Sequence, residues 1–352
     1  MKNLLLTLST LALIAPTTPA FAEDVSATIV VGHAPVIRWA RMFPEAFIPA
    51  VNKRLEGGEN NVTFIEQYGG TIAGPGEELE TIESGLAEMG VCNAVVEPDK
   101  LSLQSVSYYA PFVSDNARLI NETLDEMNKA DPELTKSFTE HGVVYLGGPI
   151  GIEDYMLMTK TPVNTIQDLA GLKIAAPGAA VNWLSGTGAV GVSGNMTTYY
   201  NELKTGVYDG VIVFAGGAWA GKLFEVAPNI NLVGLGAQYA GGICANKDWF
   251  EGLPEDVQQA MRDAADETKT WYLADLENAV KTAYAKMEEA GATITTASDE
   301  MRQDWAAKME NSAVVWAAQL DGQGKPASAT LSRYMDAMRA AGATPLRNWD
   351  QE

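Results

Sequence analysis

Between Pro254 and Ala290 the chain carries no internal proline or glycine. Apolar residues return in steps of three and four, at Tyr272, Leu276, Val280, Ala283 and Met287, marking one face of an α-helix. Pro254 suits the first helical position, Glu255 and Asp256 complement the positive end of the helix dipole, and Gly291 supplies a stop. A helix of ~36 residues measures ~54 Å at 1.5 Å per residue. That exceeds one small domain, so the helix is expected to run across two lobes. Ser298 then offers an N-cap for a further helix.

Upstream, the segments "ATIVVGHAP", "NNVTFIEQYGG", "GVVYLGGPI", "DYMLMTK", "GLKIAAP" and "YDGVIVFAGG" read as strands, with helical stretches such as Arg38 to Leu55 between them. Strands alternating with helices over short connections imply mostly parallel sheet. No flexible linker separates two halves, so the chain is expected to cross between lobes several times and leave a cleft. The fold class is α/β: a two-lobed periplasmic-binding-protein fold of the Venus-flytrap kind, with the long helix spanning both lobes. Lobe I is expected to comprise residues 23–150 plus about 240–278, and lobe II residues 151–239 plus about 279–352.

The first residues read as an export signal. Lys2 precedes an apolar run from Leu4 to Ala15, and Ala20-Phe21-Ala22 is an A-x-A site, so cleavage is expected after Ala22. The run is too short to span a bilayer, which takes ~20 residues. The expected location is the periplasm, as a monomer not inserted in the membrane. The formal net charge of −21 opposes binding to nucleic acid or anionic lipid. Cys92 and Cys244 are the only cysteines; both lie in apolar strand-like runs and read as buried free thiols rather than one bridge.

Catalytic patterns are missing. His33 and His141 are the only histidines, and there is no H-E-x-x-H, no metal-spaced Cys/His cluster and no G-x-S-x-G elbow. Gly186-Thr-Gly188-Ala-Val-Gly191 has the G-x-G-x-x-G spacing, but the nearest strand, "KIAA", ends about ten residues before it and Asp209 precedes the run "VIVF". No dinucleotide, metal or other cofactor is expected. An exported two-lobed chain with a cleft and no catalytic outfit points to a binding protein that closes by hinge motion rather than to an enzyme.

The segments "QYGGTIAGPGEELETIESGLAEMGV", "YYAPFVSD", "TPVNTIQDLAGLKI", "TTYYNELKTGVYDGVIV" and "NKDWFEGLPEDVQQAMRDAADET" resemble, in order, the blocks of the DctP-type solute-binding proteins of TRAP transporters. "DLAGLKI" and "ELKTGVYDG" are the most specific. The resemblance covers nearly all of the chain after the signal. It implies capture of a small-molecule solute and its delivery to membrane permease subunits driven by an ion gradient.

The departures from that family pattern carry the ligand reading. The family places an arginine after the Lys-Ile of this block, where it clamps a carboxylate; here Lys173-Ile174 is followed by Ala175 and Ala176. A second family arginine falls on Asp154, with Glu153 beside it. Losing a bidentate guanidinium and gaining a carboxylate inverts the polarity of the site. The expected solute is a small amine or quaternary ammonium compound, such as an amino alcohol, held by Glu153 or Asp154 and an aromatic wall. Candidates for that wall are Trp39, Tyr68, Trp183, Tyr199, Phe214, Trp219 and Tyr239. Trp183 follows the strand that normally carries the clamp, and Phe214 and Trp219 fall where later family contacts lie. His33 and Trp39 follow the first strand, and Asn93 and Glu97 follow the strand "MGVC", so each should face the cleft. Three alternatives stay open: a carboxylate held by a non-standard arginine such as Arg38 or Arg41, a neutral polyol, and, remotely, a cleft hydrolase or lyase.

Overall fold

The computed structural model describes residues 24–352. The expected signal and its cleavage site lie outside the described residues.

Among the described residues eleven strands form two sheets. The first contains β1 (Asp24–Val31), β2 (Asn61–Tyr68), β3 (Met89–Asn93), β4 (Val143–Ile152) and β10 (Gln238–Asn246), in the order β2-β1-β3-β10-β4. The second contains β5 (Tyr155–Thr159), β6 (Lys173–Ala176), β7 (Val190–Ser193), β8 (Gly210–Phe214), β9 (Asn229–Leu232) and β11 (Thr293–Thr296), in the order β11-β9-β5-β8-β6-β7.

The sheets are more mixed than the strand–helix alternation suggests. β1 pairs parallel with β2 and β3, and β6 with β7 and β8, but β10 is antiparallel to β3 and β4, and β5 to β8 and β9. The reason is connectivity. β5 and β10 are the strands entered directly from the other sheet, at residues 153–154 and 233–237. They start at the interface between lobes, where their neighbours end. The carboxyl ends of β1, β3, β6 and β8 therefore face the cleft, where an open α/β sheet receives ligand.

The third crossing is the long helix, Glu255–Glu289, which packs on β4 and on the helix Ile48–Leu55 in one lobe, and on the helix Ala215–Ala220 and β11 in the other. Pro254 sits at its N-cap, one residue before the position read from sequence. Ser298 caps the next helix, Asp299–Lys308, accepting the Met301 N–H at 3.2 Å. The last helices, Ser312–Asp321 and Ala327–Ala340, return to the first lobe's side, where Ala327–Ala340 packs on Ala117–Ala130. The C-terminal stretch thus straps both halves.

Arg38 to Leu55 is helical as expected, but its middle, Phe43–Phe47, is a π-helix. Pro44 lies there, where a missing N–H interrupts the α ladder. The glycines of the G-x-G-x-x-G run turn the chain. Gly186 has φ +72°, and a Cβ there would lie 1.9 Å from the Lys308 carbonyl oxygen, so this turn against a neighbouring helix requires glycine.

The cysteines depart from the free-thiol reading. Cys92 on β3 and Cys244 on β10 are disulfide-bonded, with Cα atoms 5.8 Å apart, within the usual span for a bridge. They lie on adjacent antiparallel strands, diagonally placed by the pairs Gly242↔Cys92 and Cys244↔Gly90. Their separation of 152 residues hides that adjacency in the sequence.

Candidate functional site

On the first lobe the loop after β1 brings His33 and Trp39 together, ring centroids 5.0 Å apart and edge-on. Each has a buried ring nitrogen without a hydrogen-bond partner: Nδ1 of His33 and Nε1 of Trp39. Burial pushes the His33 imidazole below its ordinary pKa, against the pull of Glu78, whose Oε1 lies 3.9 Å from Nδ1. Tyr68 pairs with Val31 at the end of the β1–β2 ladder, and the next amide, Gly69 N–H, donates to the His33 carbonyl at 2.9 Å. The Tyr68 hydroxyl donates to Glu66. The backbone thus holds Tyr68 next to the loop that carries the paired rings of His33 and Trp39.

Carboxylates sit beside that loop. Glu78 is fully buried and accepts the Gly32 N–H at 3.0 Å and the Gly76 N–H at 2.6 Å. The alternation of the helix Glu78–Glu83 gave no sign of it, because an acid at the start of a helix ordinarily faces water. Glu97 is buried with no hydrogen bond to either oxygen, and Lys100 is 3.6 Å away. Burial, reinforced by Glu78, pushes the Glu97 carboxyl up to about 7. Asn93 turns inward on its own loop, its Oδ1 accepting the Val95 N–H at 3.0 Å.

On the second lobe, Ala175 lies in β6 with no exposed surface. Tyr199 is equally buried and its hydroxyl has no partner. Both close over Gly194, where an added Cβ would sit 2.7 Å from the Tyr199 ring and 3.2 Å from the Ala175 methyl. Phe214 ends β8, half-buried, with its ring 5.6 Å from that of Tyr155. Tyr155 also meets Tyr108, their hydroxyls 3.1 Å apart in the core. Tyr108 and Tyr155 were missed in the sequence. Tyr155 stands one residue beyond the Asp154 singled out there, and only the strand's start fixes which of the two faces the aromatic cluster.

Glu153 and Asp154 part company, as successive residues of an extended chain do. Glu153 Oε1 accepts the Gly216 N–H at 2.8 Å, two residues past Phe214. Asp154 Oδ1 accepts the Gly236 N–H at 2.8 Å and turns to the second crossing. Both are raised above the ordinary carboxyl range, by burial first: Asp154 to about 7, with Asp115 adding to the rise.

Three expected wall residues are elsewhere. Trp183 is fully buried; its Nε1 donates to the Tyr108 carbonyl at 2.7 Å, its own carbonyl accepts from Trp305, and its ring stacks on Tyr108. Small neighbours in sequence let this ring sink into the core instead of lining a cleft. Tyr239 is buried in a network with Tyr145 and Asn128 that surrounds Asp125, itself held by Lys129 and Lys269. Trp219 faces the long helix, stacked on Phe224 and beneath the Lys286 ammonium at 5.3 Å.

The two arginines considered as substitute clamps are already engaged. Arg38 Nε and Arg41 Nη2 each donate to Asp275 Oδ2 of the long helix at 2.7 Å, and the Arg38 guanidinium lies 5.6 Å from the Tyr272 ring centre. Among the described residues no group of three or more His, Cys, Asp or Glu side chains is arranged to hold a metal ion. No helix among them is long and apolar enough to cross a membrane.

Two mixed sheets, joined by the two strand crossings and the long helix, define a two-lobed α/β fold. The chain belongs to the bacterial extracellular solute-binding protein family 7, the DctP family, whose model matches residues 45–319. It is 28% identical over 188 residues to the ectoine-binding periplasmic protein TeaA of Halomonas elongata, a match spanning 52% of this chain and 54% of TeaA. The chain thus spans about half the length of that curated relative. A TRAP periplasmic solute-binding protein of Desulfovibrio salexigens, in an open complex, superposes with a TM-score of 0.78 at 20% identity, covering 90% of this chain and 97% of that one. Another from Chromohalobacter salexigens, with bound D-glucuronate, gives 0.71 at 20% identity, covering 89% and 100%. At such identities these likenesses establish the fold.

Proposed function

We propose that the protein is the periplasmic solute-binding subunit of a TRAP transporter, acting as a monomer, and that its cleft captures a small amine or quaternary ammonium solute. Family membership supports the first part. The observation that carries the second is Glu153: it is only 5% exposed, its carboxylate is held by the backbone N–H groups of Gly216 and of Glu153 itself, and it makes no salt bridge. The one cation acting on it, Arg38, is committed to Asp275. Amide donors leave the charge of a buried carboxylate without a counter-ion, and an ammonium ligand would supply one. His33, Trp39, Tyr68 and Phe214 offer ring faces and edges, and a cation over an aromatic face gains ~0.5–2 kcal/mol, more when desolvated.

Ala175 supports the same reading from the other wall. A carboxylate ligand would find a methyl group there, enclosed in the sheet, where the family pattern has a guanidinium. Binding through Arg38 or Arg41 instead would require Asp275 to be released. In the proposed mechanism the solute settles on one wall, the other lobe rotates onto it about the crossings, and exclusion of water strengthens the contact with Glu153. The permease then receives the closed form.

A thermal-shift screen with amines, carboxylates and polyols tests this reading. The expected result is stabilisation by one or more ammonium compounds. Stabilisation by dicarboxylates with no response to amines would overturn it. TeaA binds ectoine and the Chromohalobacter protein holds D-glucuronate, so both solutes belong in the screen.

A further inference from the structure

The crossings enclose a second hollow, on the side of the hinge to which Asp154 turns. This cavity of about 440 Å³ is lined by the start of the helix Ala117–Ala130, both strand crossings and the long helix. None of His33, Trp39, Tyr68 or Phe214 borders it. Leu232, Leu276 and Val280 give it an apolar floor.

Unpaired charge of both signs surrounds that floor. The Lys281 ammonium borders the cavity with no hydrogen bond or ion pair. Arg302 gives Nε to the Val233 carbonyl at 2.9 Å; its Nη groups make no hydrogen bond, and its charge acts on Asp154 without a salt bridge between them. On the acid side, Asp154 uses one oxygen on Gly236, and Asp115 at the exposed mouth makes no ion pair. The remaining cation of the lining, Arg118, is neutralised by Glu277 at 2.9 Å. Glu153 also borders the cavity, but its Oε1 is held by Gly216.

We propose that the hinge cavity is a second binding site, for a small zwitterion of the α-amino-acid type with an apolar body. Its carboxylate meets Arg302 and Lys281, its ammonium meets Asp154 and Asp115, and its side chain covers Leu232, Leu276 and Val280. A guanidinium with two free Nη groups is suited to a carboxylate. Because the walls belong to all three crossings, occupancy biases the angle between lobes. The proposal rests on Asp154, Arg302 and Lys281 and not on the cleft reading, and Glu153 is the residue the two sites share.

Calorimetry with three matched probes tests it: L-leucine, 4-methylpentanoate, which lacks the ammonium, and 3-methylbutylamine, which lacks the carboxylate. Leucine is expected to bind saturably, and each single-charge probe to displace bound leucine about tenfold or more weakly than leucine itself, the effect of losing a charge-assisted contact. Lys281→Gln is expected to weaken leucine by a similar factor, while Phe214→Ala in the cleft leaves it within about twofold. Lack of saturable leucine binding would overturn the proposal. So would equal binding of the three probes, or loss of leucine binding in Phe214→Ala with none in Lys281→Gln.

Discussion

Glu153 and Gly216, 63 residues apart in sequence, are joined by a 2.8 Å hydrogen bond from the Gly216 amide to Glu153 Oε1. The bond ties the first crossing between lobes to the start of the helix after β8, beside Phe214. It fixes one carboxylate oxygen. In the proposed reading, the charge on this residue, more than any general acidity of the chain, decides what the cleft accepts.

Trp183 is expected to act on stability rather than on solute affinity. Its ring is enclosed and its Nε1 is bonded to the Tyr108 carbonyl. Trp183→Ala should cost ~3–5 kcal/mol in urea unfolding, the range for deleting a large buried aromatic. Phe214→Ala, at a half-buried cleft position, should cost less stability and more affinity. The opposite ranking would return Trp183 to the ligand wall.

Glu97 should make stability depend on pH. Its folded carboxyl titrates near 7, above the ordinary value of 4.5, because it is buried beside Glu78. The contribution is fully present below pH 4.5 and is lost as pH rises through 7. Glu97→Gln should flatten that slope and raise stability at pH 8 by ~1–3 kcal/mol, measured by denaturant unfolding across pH. An unchanged slope would place the titration elsewhere.

The Cys92–Cys244 bridge closes a loop of 152 residues within one sheet. Removing it with Cys92→Ala and Cys244→Ala together should lower unfolding free energy by ~2–4 kcal/mol. Adding a reductant should reproduce the loss in the unmodified protein and leave the double variant unaffected. A reductant effect of equal size in both would contradict the bridge.

Legibility in the sequence followed the range of the interaction. The long helix announced itself through an uninterrupted apolar stripe, and its end at Glu289 agrees with Gly291 as a stop. The strands were visible as apolar runs, and His33, Trp39 and Phe214 lie at or after the carboxyl ends of β1 and β8. Direction was harder: that β5 and β10 run against their neighbours follows from where the chain changes lobe, which no local pattern records. Side-chain facing was hardest. Glu153 and Asp154 looked equivalent as adjacent acids, yet extended geometry sends one to Gly216 and the other to Gly236. Tyr239 and Trp183 were read as a wall because rings near a cleft can line it. Their polar atoms found partners deep in the core instead.

The central claim is that Glu153 makes the cleft selective for positive charge. The direct measurement is calorimetric titration of the best ammonium compound from the screen into wild-type protein and Glu153→Gln. The account expects the substitution to weaken binding by at least about tenfold, the cost of a lost charge-assisted contact, with the fold intact by circular dichroism. Unchanged affinity in Glu153→Gln, with Arg38→Gln instead abolishing solute binding, would contradict it.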